Sequence, residues 1–186
     1  MGAFTEIPIT VSALEGMPED GNRYEVIEGE LHVSTAPGFP HQAALGNLHF
    51  ELSAYLRNHR IGRAILGLGV LFDDFNGVVP DLLYISKERL QRILRDGRLT
   101  GAPEIAVEVL SPGSANENRD RLVKRQLYSS RGVSEYWIVD PETRTIEVSR
   151  KRKEGGLQPA VVLQAEDDLT SPLLPDFRVQ VAQLFE

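Results

Sequence analysis

The chain has 186 residues, no cysteine and a formal net charge of −7 at pH 7. Without cysteine it can form no disulfide, thiolate metal site or cysteine nucleophile, which fits a cytoplasmic protein. The acidity argues against a protein that coats nucleic acid, because such proteins neutralise phosphates with basic surfaces. It does not exclude a nuclease, since a carboxylate cluster that binds a metal ion brings its own negative charge.

The length suits one domain over residues 1–186, with a sizeable core. Nowhere does the sequence approach the roughly 18 consecutive apolar residues of a membrane helix. The N-terminus lacks the basic segment and apolar core of a secretory signal. We therefore expect a single cytoplasmic domain with no membrane partner.

The first part of the chain predicts a short helix and a β-hairpin. Thr10 is placed to cap the helix, which ends in the turn-rich segment 16–22. The apolar runs Tyr24–Ile27 and Leu31–Thr35 flank a short turn and predict the two strands of the hairpin.

The middle of the chain predicts a helix, two strands and a second helix. Apolar residues at helical spacing predict a helix from His41 to His59, with a stripe formed by Leu45, Leu48, Leu52, Tyr55 and Leu56. Ala64–Phe72 and Val78–Ile85 are typical of strands, and Ser86 should cap a helix that runs to about Leu94.

The second half of the chain alternates strands with one helix. Ile105–Leu110 predicts a strand, Asn118–Arg131 a helix, and Glu135–Val139, Thr145–Arg150 and Pro159–Leu163 three further strands. This order favours an α/β or α+β fold, with a central mixed β-sheet flanked by helices and preceded by the hairpin. The predicted core comprises Leu45, Leu48, Leu52, Val107, Val109, Leu127, Trp137 and Val139.

Two carboxylates interrupt apolar segments in matched contexts, Asp81 in VVPDLLYI and Glu108 in IAVEVLS. A charge in such a segment is costly to bury unless it is paired or bound to a metal ion. Carboxylates that converge from adjacent strands suit Mg²⁺ or Mn²⁺, which prefer oxygen ligands. The alternative is structural: each carboxylate pairs with a nearby arginine or lysine, or caps a helix.

Lys124 is the third candidate, because it shares a predicted helical face with Asp120, Tyr128 and Arg131. A lysine that reached Glu108 could orient or deprotonate a water, or stabilise charge on a reacting phosphate. On the alternative interpretation, Lys124 and Asp120 form an ion pair at i,i+4 spacing on a solvated face.

His41 and the two glutamates of the hairpin are further candidates, and each also has a structural explanation. His41 opens the long helix on its apolar stripe, which favours a partly buried histidine that bonds to the backbone. Glu25 and Glu28 lie three residues apart in the hairpin, so strand alternation lets only one of them face a site.

A longer ordered series of residues resembles a known family. The series is Tyr24-Glu25-Val26-Ile27-Glu28-Gly29-Glu30-Leu31, His41, Val79-Pro80-Asp81-Leu82, Ala102-Pro103-Glu104, Glu108-Val109-Leu110-Ser111-Pro112, Lys124, Tyr128, Gly132-Val133 and Glu135-Tyr136-Trp137-Ile138-Val139-Asp140-Pro141. It resembles the uncharacterised restriction endonuclease family that is abundant in cyanobacteria and grouped with the PD-(D/E)XK nucleases. Pro103–Pro141 is the most specific part.

The resemblance implies a nuclease fold built on a central mixed sheet, and it assigns roles to several residues. Asp81 matches the aspartate of the PD motif and Glu108 the acidic residue of (D/E)XK. Leu110 stands where that motif has its lysine, so Lys124 on the following helix matches the displaced lysine. Glu25 matches an acidic residue that often joins such sites, whereas His41 matches without an assigned role.

The residues and the resemblance leave three alternative functions. The first is a Mg²⁺- or Mn²⁺-dependent endonuclease acting on DNA as a homodimer, in which Asp81, Glu108 and the Val109 carbonyl hold the ion and Lys124 positions the attacking water. The second is a non-catalytic binding or regulatory module with the same fold, favoured by the negative net charge. The third is a structural or oligomerisation protein whose carboxylates are only paired.

Overall fold

The computed structural model describes residues 7–186 and contains two six-stranded β-sheets and one two-stranded sheet. The strands are β1 (Arg23–Ile27), β2 (Glu30–Ser34), β3 (Gly62–Leu66), β4 (Val70–Asp73), β5 (Asn76–Val78), β6 (Leu82–Ser86), β7 (Leu94–Arg95), β8 (Arg98–Leu99), β9 (Ile105–Val109), β10 (Glu135–Asp140), β11 (Thr145–Arg150), β12 (Val161–Leu163), β13 (Asp168–Ser171) and β14 (Leu174–Gln180).

The helices lie between these strands. They are α1 (Phe39–His59), α2 (Lys87–Ile93), α3 (Ser114–Asn118), a π-helical segment (Arg119–Lys124) and α4 (Arg125–Arg131), together with the 3-10 helices Val11–Gly16 and Val181–Phe185. No helix within residues 7–186 is long and apolar enough to cross a membrane.

The central sheet has the strand order β12-β11-β10-β9-β6-β3, and it is mixed because β9 and β10 are parallel while the other neighbours are antiparallel. The other large sheet has the order β2-β1-β5-β4-β8-β7 and contains the N-terminal hairpin. The predicted mixed α+β fold flanked by helices is thus confirmed, although the strands divide into two large sheets where the sequence suggested one.

Two predicted strands are each divided in the structure. Ala64–Phe72 is interrupted after β3, where Gly67 adopts a positive φ of 57° that glycine tolerates best. Val78–Ile85 is interrupted after β5, where Pro80 removes a backbone donor. The halves join different sheets, so Asp81 lies in the connection immediately before β6 and not within a strand.

Other predictions need smaller corrections. Within the described chain Thr10 makes no capping hydrogen bond to the first helix, whereas Ser86 does cap α2 by accepting from the Arg89 amide. The helix predicted to start at Asn118 begins earlier, at Ser114. The hairpins β7–β8 and β13–β14 were not predicted, because their short strands carry little periodicity.

The core forms on both faces of the central sheet. On one face the α1 stripe packs on Val107, Val109, Trp137 and Val139, while Leu127 packs with Ala106 and Ile138 on the other face. All eight predicted core residues are buried. Alternation along β9 therefore directs Glu108 away from α1, towards the face on which α4 packs.

Candidate active site

Asp81, immediately before β6, has polar contacts at both of its carboxylate oxygens. One carboxylate oxygen, Oδ2, accepts from the Val109 amide at 2.8 Å and lies 3.2 Å from His41 Nε2. The other oxygen, Oδ1, accepts from the Arg23 guanidinium at 2.6 Å. Arg23 also donates to the Val79 carbonyl at 3.1 Å, so it bridges β1 and the connection that carries Asp81.

Glu108 is joined to the helix that follows β9. Its Oε1 lies 3.0 Å from the Lys124 ammonium and accepts from the Tyr128 hydroxyl at 2.8 Å. Both helical residues reach Glu108 because they lie four residues apart and so share one face. The interpretation of Lys124 as part of a solvated face is wrong, since its side chain is only 1% exposed.

Glu25 supplies the second partner of Lys124, with Oε2 at 3.0 Å from the ammonium. Its other oxygen accepts from the Val79 amide at 2.8 Å, which ties β1 to the segment before Asp81. Glu25 is buried and Glu28 is exposed in the hairpin turn, as strand alternation predicts.

The π-helical segment brings a fourth carboxylate into the cluster. Asp120 is buried, and its Oδ1 lies 3.8 Å from the Lys124 ammonium and 3.5 Å from Arg119 Nε. π-helical turns inside α-helices occur frequently at functional sites. Here the turn positions Asp120 and Lys124 in the interior, where a lysine needs several carboxylates to remain charged.

Most of these side chains, but not Glu25 or Tyr128, line one cavity of about 170 Å³. Its lining includes Asp81, Glu108, Val109 and Lys124, together with Arg23 and His41. The two carboxylates singled out in the sequence thus converge on one place, although one lies in a connection and the other in a strand.

The surroundings shift the pKa values of the two carboxylates in opposite directions. Burial alone would raise the pKa of Asp81, but the His41 hydrogen bond, the Arg23 charge and the Val109 amide outweigh it, so this pKa lies below its ordinary value. Burial raises the pKa of Glu108 to about 8; the Lys124 ammonium opposes this rise and the Asp81 carboxylate adds to it.

Lys124 stays protonated at neutral pH. Burial alone would lower its pKa, but the carboxylates of Glu108, Glu25 and Asp120 outweigh that effect, so the pKa lies above its ordinary value. In this arrangement Lys124 can donate hydrogen bonds and stabilise negative charge, but it cannot accept a proton.

The cluster has more carboxyl groups than fixed cations. Its carboxyl groups belong to Glu25, Asp81, Glu108 and Asp120, and its fixed cations are Arg23, Arg119 and Lys124. Asp120 Oδ1 is buried and accepts no hydrogen bond within the part of the chain that the structure describes. A further cation would allow all four carboxyl groups to ionise.

A divalent ion fits this donor set in part. Within residues 7–186 no three His, Asp or Glu side chains are arranged to hold a metal ion together. Mg²⁺, however, is commonly bound by one or two carboxylates, with water and substrate phosphate completing its shell. Asp81 and Glu108 meet that lower requirement, provided that Arg23 yields Oδ1 of Asp81.

Sequence reasoning missed some members of the cluster. Arg23 precedes the first predicted strand and gave no signal, and Asp120 was considered only as a surface partner of Lys124. His41 was expected to bond to the backbone, but that interpretation is wrong, since its Nε2 contacts the Asp81 carboxylate. Its position at the start of α1, after Gly38-Phe39-Pro40, was the available signal.

Comparisons with known proteins agree with the fold. Residues 11–182 match the model of a family described as "Putative restriction endonuclease", so the chain belongs to that family and the resemblance is confirmed. A "putative nuclease belonging to DUF820" from Anabaena variabilis has a similar fold, with a TM-score of 0.76 and 23% identity over 96% of this chain and 98% of that chain. No curated protein matches the chain.

Proposed function

We propose that the protein is a metal-dependent endonuclease that hydrolyses phosphodiester bonds of DNA. The observation that carries this proposal is the buried Lys124 ammonium, held at 3.0 Å from both Glu108 and Glu25 beside the cavity that Asp81 lines. Membership of a restriction endonuclease family supports it. Burying a lysine among carboxylates is costly for stability alone, so the cluster suits a chemical role.

Asp81 and Glu108, with the Val109 carbonyl, would hold Mg²⁺ or Mn²⁺. The bound ion would polarise the scissile phosphate and lower the pKa of an attacking water. The Val109 amide and His41 fix Oδ2 of Asp81, which leaves Oδ1 as the oxygen for the ion. Arg23 would leave Oδ1 for a phosphate oxygen, a suitable acceptor for its planar guanidinium.

Lys124 would orient the attacking water and stabilise the charge that develops on the phosphate. Its raised pKa favours this role over the general-base role that the sequence left open. Glu25 and Tyr128 would help to position the Lys124 ammonium. Glu25 contacts the ammonium directly, and Tyr128 donates to the Glu108 oxygen that the ammonium contacts. The product would carry a 5′-phosphate, as the family resemblance implies.

A non-catalytic binding module is the second candidate. The observation that favours it is the Arg23–Asp81 contact, which already satisfies one oxygen of a carboxylate that an active site needs for metal. Under this alternative the cluster would be a stable ion-pair network, and divalent ions would neither bind nor stabilise the protein.

Cleavage of plasmid and oligonucleotide DNA tests the proposal, in Mg²⁺, in Mn²⁺ and in chelator. We expect cleavage only with metal, and a loss of at least about 10²-fold in Asp81→Asn and Glu108→Gln. Glu104→Gln is the matched control, because Glu104 is a partly buried carboxylate paired with Arg89 away from the cavity. A parent protein that cuts nothing in either metal would favour the binding module.

The expected homodimer, single domain and cytoplasmic location stay predictions. Cutting both strands of a duplex takes two sites, and a symmetric dimer would supply them. Sedimentation equilibrium with and without DNA distinguishes a dimer from a monomer.

A further inference from the structure

A second, larger groove adjoins the cavity that Asp81 and Glu108 line. It has a volume of about 720 Å³ and shares His41 and Ser111 with that cavity. Sites for small organic ligands commonly have about 300–1,000 Å³, so the groove is large enough for a nucleoside and the 170 Å³ cavity is not. A phosphate placed in the cavity would therefore direct its attached base into the groove.

The groove has apolar walls and an acceptor-rich rim. Pro40, Leu110, Pro112 and Pro141 supply the walls. The rim cation Arg121 is already paired with Glu117, Asp140 and Glu147 at 2.8–3.0 Å. With that charge neutralised, the one remaining carboxylate of the lining, Glu142, would repel a backbone phosphate, and the carboxylate oxygens of the rim would accept hydrogen bonds from the amino group of a base.

An exposed aromatic side chain lies beside the groove. Phe39 is 83% exposed and stands between Gly38 and Pro40, both of which line the groove. Exposure of a whole phenyl ring is unfavourable in water, and aromatic rings of this kind are platforms on which unpaired bases stack.

We propose that this groove binds an unpaired base next to the scissile phosphate, with Phe39 stacking on a neighbouring base. The inference rests on the proposed nuclease function and narrows its substrate to single-stranded or locally unpaired DNA. A base inside a duplex would have to be unstacked at a cost of a few kcal/mol, whereas a single strand offers it without that cost. The net charge of −7 points the same way, because long duplex contacts need many free cations.

Fluorescence anisotropy with labelled oligodeoxycytidine, whose bases carry an amino group, tests the groove directly in Ca²⁺, which provides a divalent ion. We expect the wild type to bind the single strand more tightly than a duplex of equal length. Phe39→Ala should weaken binding of the single strand about tenfold, the usual size of one lost base–aromatic stack. Phe50→Ala is the matched control, because Phe50 is also exposed, at 66%, and lies on α1 eleven residues further along.

A second arm removes the base and keeps the phosphate. An oligonucleotide with abasic residues in place of the two bases next to the bond that is cut should bind wild type more weakly. Phe39→Ala should reduce that weaker affinity by less than it reduces the parental one, because the base on which Phe39 stacks is also missing. Equal binding of single strand and duplex, or equal effects of Phe39→Ala and Phe50→Ala, would overturn the proposal.

The outcomes separate this inference from the nuclease function. If the protein binds the single strand selectively but cleaves no DNA in Mg²⁺ or Mn²⁺, the base-binding role of the groove is supported and the proposed nuclease activity is rejected. If the protein cleaves DNA with metal but shows no preference for unpaired DNA, the nuclease activity is supported and the base-binding role of the groove is rejected. If the protein binds neither form of DNA, the proposed base-binding role of the groove is rejected.

Discussion

Two glutamates on the adjacent strands β9 and β10 are equally buried, with 2% exposure each, yet they have different surroundings. Glu135 accepts from the Trp137 indole at 2.9 Å and from the Ser171 hydroxyl at 2.7 Å. Glu108 is next to a lysine and three more carboxylates in a cluster that borders a cavity.

The contrast shows what distinguishes a candidate site from a structural carboxylate. Neutral donors satisfy both oxygens of Glu135, and the Arg150 guanidinium lies 3.5 Å from Oε2, so this carboxylate stabilises the fold without needing a ligand. The Glu108 cluster keeps one unsatisfied buried acceptor, Asp120 Oδ1, and one more carboxyl group than fixed cation, beside space for a ligand. Burial alone does not mark a site, whereas several carboxyl groups crowded around a lysine at a cavity do.

Replacing Lys124 should have the largest effect. Because Lys124 is buried, its replacement should affect the stability of the fold as well as the chemistry. Lys124→Met should lower the free energy of unfolding by about 3–5 kcal/mol in metal-free protein, since it leaves several carboxylates without their cation. Cleavage should fall by at least about 10²-fold.

Urea unfolding with and without Mn²⁺ measures the first effect, and oligonucleotide cleavage the second. Mn²⁺ should restore part of the lost stability, because the ion replaces the missing positive charge. Lys87→Met, at an exposed lysine, is the control and should behave as wild type. Parental cleavage by Lys124→Met would remove Lys124 from the mechanism.

The pH dependence of stability should reveal the burial of Glu108 among carboxyl groups in metal-free protein. Burial raises the pKa of Glu108 from 4.5 to about 8, so this carboxyl stabilises the folded state fully below about pH 4.5 and loses that contribution as the pH rises through 8. Glu108→Gln should therefore lose less stability than wild type between about pH 5 and 8. Urea unfolding at several pH values gives the free energy of unfolding of both proteins. If the two proteins show the same dependence on pH, the pKa of Glu108 is not raised, and this prediction is wrong.

Removing Arg23 should tighten metal binding. Arg23→Gln frees Oδ1 of Asp81 and removes a competing cation, so Mn²⁺ affinity should rise about tenfold, as expected for one hydrogen bond between charged groups. Isothermal titration calorimetry measures this change. Arg89→Gln is the control, because Arg89 has the same side-chain exposure of 31% but pairs with Glu104 outside the cavity. Unchanged affinity in Arg23→Gln would argue that the ion does not use that oxygen.

Glu135→Gln should have the smallest effect. It weakens hydrogen bonds to Trp137 and Ser171, so the free energy of unfolding should fall by about 1 kcal/mol. Cleavage rate and Mn²⁺ affinity should stay within about twofold of wild type, since Glu135 does not line the cavity. A loss of cleavage comparable with that of Glu108→Gln would end the distinction between the two glutamates.

Much of the fold could be predicted because its long elements have clear periodicity. The α1 stripe and the strands around Glu108 and Trp137 carry enough apolar residues to identify their faces. The division of the strands into two sheets could not be predicted, since it depends on Gly67 and Pro80 together with partners distant in the chain.

The site was predictable where a charge interrupts an apolar run, as at Asp81 and Glu108. The burial of Lys124 could not be read from helical spacing, because the same spacing fits a solvated ion pair with Asp120. The contact between Arg23 and Asp81 joins residues 58 positions apart, so no local sequence pattern predicts it.

Crystals soaked in Mn²⁺ and measured at the manganese edge test the metal site most directly. We expect one anomalous peak in the cavity, within about 2.0–2.6 Å of carboxylate oxygens of Asp81 and Glu108, with Arg23 moved off Asp81. A cavity without a peak at saturating Mn²⁺, with Arg23 still bonded to Asp81, would contradict the metal-dependent nuclease and leave the ion-pair network of a binding module.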